Sequence, residues 1–253
     1  TGYGYRAHDC RSNLHYTASG EVAYHVATLC VVYDPLTHSQ RFYAGHTAEV
    51  SCLAVHADGV HCASGQAEVG GSREPAPIFV WSALSLETAM VLPAAHEGGV
   101  AAVAFAQRTA DASANPPGGG GGLDAESVAC SVGHDEFHTL IVWDWRRGVR
   151  LAQARAHTAA IFALAVAADE RGELAIATAG ARSLKFWSMD GGTLRSKKGG
   201  FGAAHAHITG QLGALRDSPT FTALAHLRDG SGRLLSATAR GELLLWRGNE
   251  LCH

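Results

Sequence analysis

No stretch of the sequence runs for the roughly 18 uninterrupted apolar residues that a membrane-spanning helix needs. The opening TGYGYRAHDCRSN lacks the charged-then-apolar pattern of a signal peptide, and no initiator methionine is present, so the chain reads as a fragment with a cytosolic origin. Charge is sparse. Charged residues make up 17% against 47% hydrophobic, the balance of a globular protein and not of a disordered one. The net charge of −3 gives no whole-molecule signal for nucleic acid, so attraction to an acidic partner has to come from local basic patches. The six cysteines (Cys10, Cys30, Cys52, Cys62, Cys130 and Cys252) form no C-x-x-C pair. Four of them, Cys30, Cys52, Cys62 and Cys130, lie inside apolar strand patterns and read as small buried hydrophobes.

Catalytic signatures are missing too. There is no G-x-S-x-G elbow, and no glycine-rich loop ends in Lys-Ser or Lys-Thr. Carboxylates such as Asp34 and Glu49 share no context, and with fifteen histidines accidental triads are expected. His205-Ala206-His207 has no cysteine or carboxylate at ligand spacing, so no metal and no cofactor are expected. Amphipathic helical periodicity of 10–15 residues between strands, which a βαβ fold requires, is also absent.

What the sequence does contain is a repeat. HTAEVSCLAV from His46, HEGGVAAVAF from His96, HTAAIFALAV from His157 and DSPTFTALAH from Asp217 align as apolar strands. Each has an apolar residue at the same place, Val50, Val100, Ile161 and Phe221, and suits a strand covered on both faces. A second strand follows in each: VHCASGQ, SVACSVG, LAIATAG and LLSATARG. A third carries an aromatic near its end: Trp81, Trp143, Trp187 and Trp246, with Tyr33 at the equivalent place near the start. The recurrence straddles the roughly 40–45 residues of a WD-type propeller blade. Such a unit is a small antiparallel sheet that buries both faces only by stacking on neighbours around an axis.

The predicted fold is therefore all-β, a WD-repeat β-propeller present as an incomplete arc of about four to five blades of a larger, seven-bladed ring. Repeat units are expected at about 45–94, 95–155, 156–200 and 217–253, with Gly-rich insertions at 108–126 and 199–216. The last unit is expected to stop just after its third strand, at LLLWRGNELCH.

The first stretch carries a family resemblance. Tyr3-Gly4-Tyr5-Arg6, Asp9-Cys10-Arg11 and Asn13-Leu14 are similar to the HELP motif of the echinoderm microtubule-associated protein-like family, and Gly20-Glu21, Val32-Tyr33 and His38-Ser39-Gln40-Arg41 continue it. LIVWDW and LRSKKG resemble the same family, so the similarity covers essentially all 253 residues. Ala7 departs from the family's usual glycine. The resemblance implies that residues 1–44 form the HELP motif and the first blade strands, and that 45–253 continue the same propeller. It also implies a non-catalytic scaffold that binds tubulin or microtubules in the cytoplasm.

Site expectations follow. Tyr3, Tyr5, Arg6, Asp9, Cys10, Arg11, Asn13 and Leu14 would pack as a structural seam, with Asp9 pairing Arg6 or Arg11. His46, His96 and His157 sit where WD repeats hydrogen-bond within a blade, and Asp135 is placed to join His96 or backbone amides. Arg146, Arg147 and Arg150, then Arg195, Lys197 and Lys198, follow third strands and should lie near the turn into the outer strand. A basic rim there suits acidic tubulin, and the plain alternative is a solvated turn. The rival function is a generic WD-type adaptor for another protein or peptide. A propeller hydrolase is the third reading. Nucleic acid and membrane are not expected as partners.

Overall fold

The computed structural model describes residues 4–7, 9–70, 74–108, 124–169, 172–200 and 219–252. Tyr3, the Pro/Gly-rich core of the first insertion and the His205-Ala206-His207 segment lie outside the described residues. Among the described residues the secondary structure is all strand apart from one 3-10 turn at Ala125–Ser127. The chain divides into two compact units: residues 1–105 with 126–156, and residues 106–125 with 157–253.

The first unit holds three antiparallel sheets of four strands each. The first is β1 (His15–Tyr16), β2 (Val22–Val26), β3 (Leu29–Asp34) and β4 (Ser39–Tyr43). The second is β5 (Val50–Val55), β6 (His61–Gln66), β7 (Ala76–Ser82) and β8 (Thr88–His96). Next along the chain come β9 (Val100–Phe105) and then β10 (Gln107–Arg108), which is not part of the third sheet. The third sheet joins β9 to β11 (Val128–Gly133), β12 (Leu140–Asp144) and β13 (Val149–Ala154).

The second unit holds the other two sheets. One runs through β14 (Ile161–Ala168), β15 (Leu174–Gly180), β16 (Ser183–Asp190) and β17 (Thr193–Lys198), with β10 added in parallel against the end of β14. The other runs through β18 (Phe221–His226), β19 (Arg233–Thr238), β20 (Leu243–Arg247) and β21 (Glu250–Leu251). In every sheet the main strands meander in chain order, which is the wiring of a propeller blade. The fold class is thus an all-β propeller, represented by five blades.

Burial explains the composition of the strands. The second strands β6, β11 and β15 are buried along nearly their whole length. They carry Ala63-Ser64, Ala129-Cys130-Ser131 and Ala177-Thr178-Ala179, residues small enough to sit between two stacked sheets. Outer strand β17 is mostly exposed and polar, while β13 is half exposed, with Val149, Arg150 and Gln153 meeting solvent. The rings of Trp81, Trp143 and Trp246 each fill the seam with the preceding sheet of their own unit. Trp81 stacks on Tyr43 with centroids 4.7 Å apart and planes 3° from parallel. Trp143 packs among Ala54, Ala63 and Val80, and Trp246 among Leu184, Phe186 and Phe221. Cys30, Cys52, Cys62 and Cys130 are buried free thiols, while Cys10 and Cys252 are half-buried. Burial pushes the Cys30 and Cys52 thiols up to about 12 and raises those of Cys62 and Cys130 further.

Two details differ from the sequence expectation. The last sheet does not stop at its third strand. The turn at Gly248, with φ +58, lets Glu250 and Leu251 pair back onto Arg247 and Trp246 as β21. Second, Arg195, Lys197 and Lys198 lie within outer strand β17 and not at the turn before it. Gly191 and Gly192, at φ +52 and +85, close the hairpin in two residues, so Asp190 already pairs with Thr193. Positive φ at both central positions is the geometry that matches the twist of paired strands, and it favours glycine.

Candidate interaction surfaces

In the four sheets whose third strand carries a Trp, a hydroxyl on the second strand anchors it. In the second sheet Trp81 Nε1–H donates to Ser64 Oγ at 3.0 Å, and His46 Nε2 lies 2.7 Å from the same oxygen. His46 Nδ1 is 3.1 Å from Gln66 Oε1, so the ring donates on that side and accepts the Ser64 proton on the other. The third sheet repeats this with Trp143 Nε1–H donating to Ser131 Oγ at 2.8 Å and His96 Nε2 at 2.7 Å from it. Asp135 Oδ2 stands 4.0 Å from His96 Nδ1, while its carboxylate accepts the backbone N–H groups of Phe137 and Thr139. In the second unit Thr178 takes the Trp187 indole at 2.9 Å and Ser236 takes that of Trp246 at 2.9 Å. His157 Nδ1 accepts the Ala159 N–H at 2.8 Å. Burial pushes His46 and His96 down to about 4, so both rings are neutral near pH 7.

These hydroxyls are what the sequence reading missed. Ser64, Ser131, Thr178 and Ser236 each stand two residues before the end of their strand, and that shared register was the available signal. Their distance in sequence to the Trp varies, at 17, 12, 9 and 10 residues, because the connecting turns differ in length, and this hid the pattern. Trp145 was also missed. It is buried, its indole donates to the Glu126 carbonyl at 2.9 Å, and the Arg146 guanidinium lies 5.2 Å above its ring.

At the N-terminal segment, Arg6 grips Asp9 with two bonds of 2.7 Å, reaches the Val50 carbonyl at 3.0 Å and pairs with Glu49 at 2.9 Å. Asn13 is buried and holds Arg6 O and His25 O through its amide, while its own oxygen accepts the His25 N–H at 2.7 Å. Cys10 Sγ donates to the Arg6 carbonyl at 2.8 Å. The segment is thus fastened by polar bonds to β2 and to the head of β5. Its apolar side chains face outward. Tyr5 is 52% and Leu14 is 58% exposed, beside Tyr16 at 76%, while Arg11 is exposed.

The basic residues are solvent-facing. Arg146 and Arg147 sit on the β12–β13 turn within 4.0 and 3.6 Å of Glu126 and Asp144, and Arg150 on β13 bonds Gln153 at 2.8 Å. Along β17, Arg195 approaches Asp190 at 3.6 Å, and Lys198 stands across from Lys185, whose own pKa is lowered by burial and by Lys198. Alternation along a strand places Arg195 and Lys197 on one face and Lys198 on the other.

Family models match along this framework. The one described as the first beta-propeller of echinoderm microtubule-associated protein covers residues 39–252, and that of the HELP motif covers residues 2–31. The chain belongs to this family. Echinoderm microtubule-associated protein-like 1 of Rattus norvegicus is 30% identical over 96% of the chain and 27% of its own length. Echinoderm microtubule-associated protein-like 2 of Mus musculus is 34% identical over 79% of the chain and 29% of its own length, and the mouse protein-like 3 is 33% identical over 96% and 26%. The chain spans about a quarter of the length of these relatives, 27% for the first. Within this family the HELP motif corresponds here to the segment that Arg6 and Asn13 fasten, followed by β1, β2 and the start of β3.

Proposed function

We propose that this chain is a non-catalytic part of a cytoskeletal scaffold that binds tubulin or microtubules in the cytoplasm. Membership of a family whose relatives are named microtubule-associated proteins carries the reading. The geometry supports it. Hydrogen-bonded rings and buried hydroxyls make each blade rigid, so recognition rests on shape and charge and requires no cofactor. The histidines, Asp135 and the four Trp residues of the blades act structurally. Arg6, Asp9, Cys10 and Asn13 fasten the HELP segment, while Tyr5, Arg11 and Leu14 stay exposed on its outer side. Arg195, Lys197 and Lys198, exposed along one outer strand, supply a basic contact for an acidic partner, with Arg146, Arg147 and Arg150 as a second.

Co-pelleting with microtubules across a salt series tests this. Binding should weaken as salt rises, because exposed charge contacts are screened over about 10 Å at 0.1 M. Reversing Arg195, Lys197 and Lys198 to Glu should lower affinity by about tenfold, at roughly 0.2–1 kcal/mol for each exposed contact. Unchanged, salt-insensitive pelleting would remove β17 from the contact. Failure of the unaltered chain to pellet at low salt favours the adaptor reading.

A further inference from the structure

We propose that the β5–β6 turn binds one divalent transition-metal ion of zinc-like character through His56, Asp58 and His61. This goes beyond the scaffold reading and against the sequence expectation of no metal. The donor atoms of the three side chains lie within 4.8 Å of one another. His56 Nδ1 is 3.0 Å and His61 Nδ1 is 2.6 Å from the same oxygen, Asp58 Oδ2. Zinc bonds of about 2.0–2.2 Å to nitrogen and oxygen put neighbouring ligand atoms roughly 3–3.5 Å apart, so a small outward adjustment admits an ion. Two imidazoles and one carboxylate suit a borderline divalent ion better than the oxygen-seeking calcium or magnesium.

The surroundings hold each donor in place. Asp58 Oδ1 is taken by the backbone N–H groups of Val60 and His61 at 2.8 and 3.0 Å, which leaves Oδ2 facing the rings. The His56 ring is buried and set edge-to-face against Phe105 and Trp145, with centroids 5.1 and 5.7 Å away, so its orientation is fixed. Its Nε2 is buried with no hydrogen-bond partner and meets aromatic faces. Such faces accept an N–H weakly, so the proton sits on Nε2, and the Nδ1 lone pair that accepts the Asp58 N–H at 3.3 Å can turn to the ion. Asp58 and His61 are each about one-third exposed, at 34% and 32%, so an ion and its remaining water ligands have access. Without the ion, His61 Nδ1–H donates to Oδ2 at 2.6 Å and His56 Nδ1 accepts the Asp58 backbone N–H at 3.3 Å, so the turn is still satisfied. The site therefore tunes the rigidity of the hairpin and is not a condition for folding.

Titration of the chain with Co²⁺, a spectroscopic stand-in for Zn²⁺, tests the proposal. One ion per chain should bind, with a visible ligand-field band and quenching of Trp145, whose ring is 5.2 Å from that of His61. Competing Zn²⁺ should displace the cobalt signal and raise the melting temperature. His61→Ala and Asp58→Asn should each weaken binding at least tenfold while melting like the unaltered chain in EDTA. Binding that is unchanged in both variants, or that is lost in His205→Ala instead, would overturn the assignment. So would the absence of any saturable one-to-one binding.

Discussion

The Ser131 hydroxyl serves two rings at once, accepting from the Trp143 indole and meeting His96 Nε2. Ser131→Ala therefore leaves two buried polar groups without a partner, each costing about 1–3 kcal/mol. A drop of that order in unfolding free energy is expected by denaturant titration, with far-ultraviolet dichroism unchanged. A change below about 0.5 kcal/mol would mean that the triangle contributes nothing. Titration behaviour follows from the same burial. His25, His46, His96 and His226 are all lowered from 6.5 to about 4, with desolvation the largest cause. Between those values the unfolded chain binds protons that the folded chain refuses, so stability rises with pH there. The melting temperature should fall steadily from about pH 6.5 towards 4. A flat profile over that range would show that the rings protonate without loss. At this scale the sequence revealed the rings but not their partners: a histidine before a strand and a tryptophan ending one have a pattern, whereas a lone serine in an apolar strand reads as filler.

Strands were legible where burial imposes an alternation or a continuous apolar run, as in β5, β11 and β15. They were not legible at the outer edge, because β13 and β17 meet solvent and carry no pattern to read. Two-residue strands such as β1 and β21 are too short for any periodicity. A bulge recurs at the head of the first strands. Register shifts between Val50 and Cys52, Ile161 and Ala163, and Phe221 and Ala223, with a matching irregularity where β9 meets the end of β11. The extra residue bends the strand into the tight inner part of a blade. Opposite the bulge of β14 lies Gly180, where an added Cβ would collide with the backbone carbonyl of Ala160. Backbone cannot swing aside as a side chain does. Gly180→Ala is therefore expected to lower the melting temperature by several degrees, roughly 1–3 kcal/mol. A melting curve identical to that of the unaltered chain would refute the close approach.

For the whole molecule, the repeat and the opening motif pointed to the propeller class, and five sheets together with the family match establish it. The four buried thiols belong to the first compact unit, whereas tryptophans lie in both, Trp81, Trp143 and Trp145 in the first and Trp187 and Trp246 in the second. The thiols therefore report on the first unit alone, and tryptophan emission on both. An alkylating reagent should modify Cys252 first, since it is only half covered, and Cys10 more slowly, because burial raises its thiol pKa and a thiol reacts as thiolate. Cys30, Cys52, Cys62 and Cys130 should be labelled only when their sheets part, so the rate of mass gain counts openings of that unit alone. Set beside the total tryptophan emission, which draws on both units, that clock would tell whether the blades melt together or in sequence.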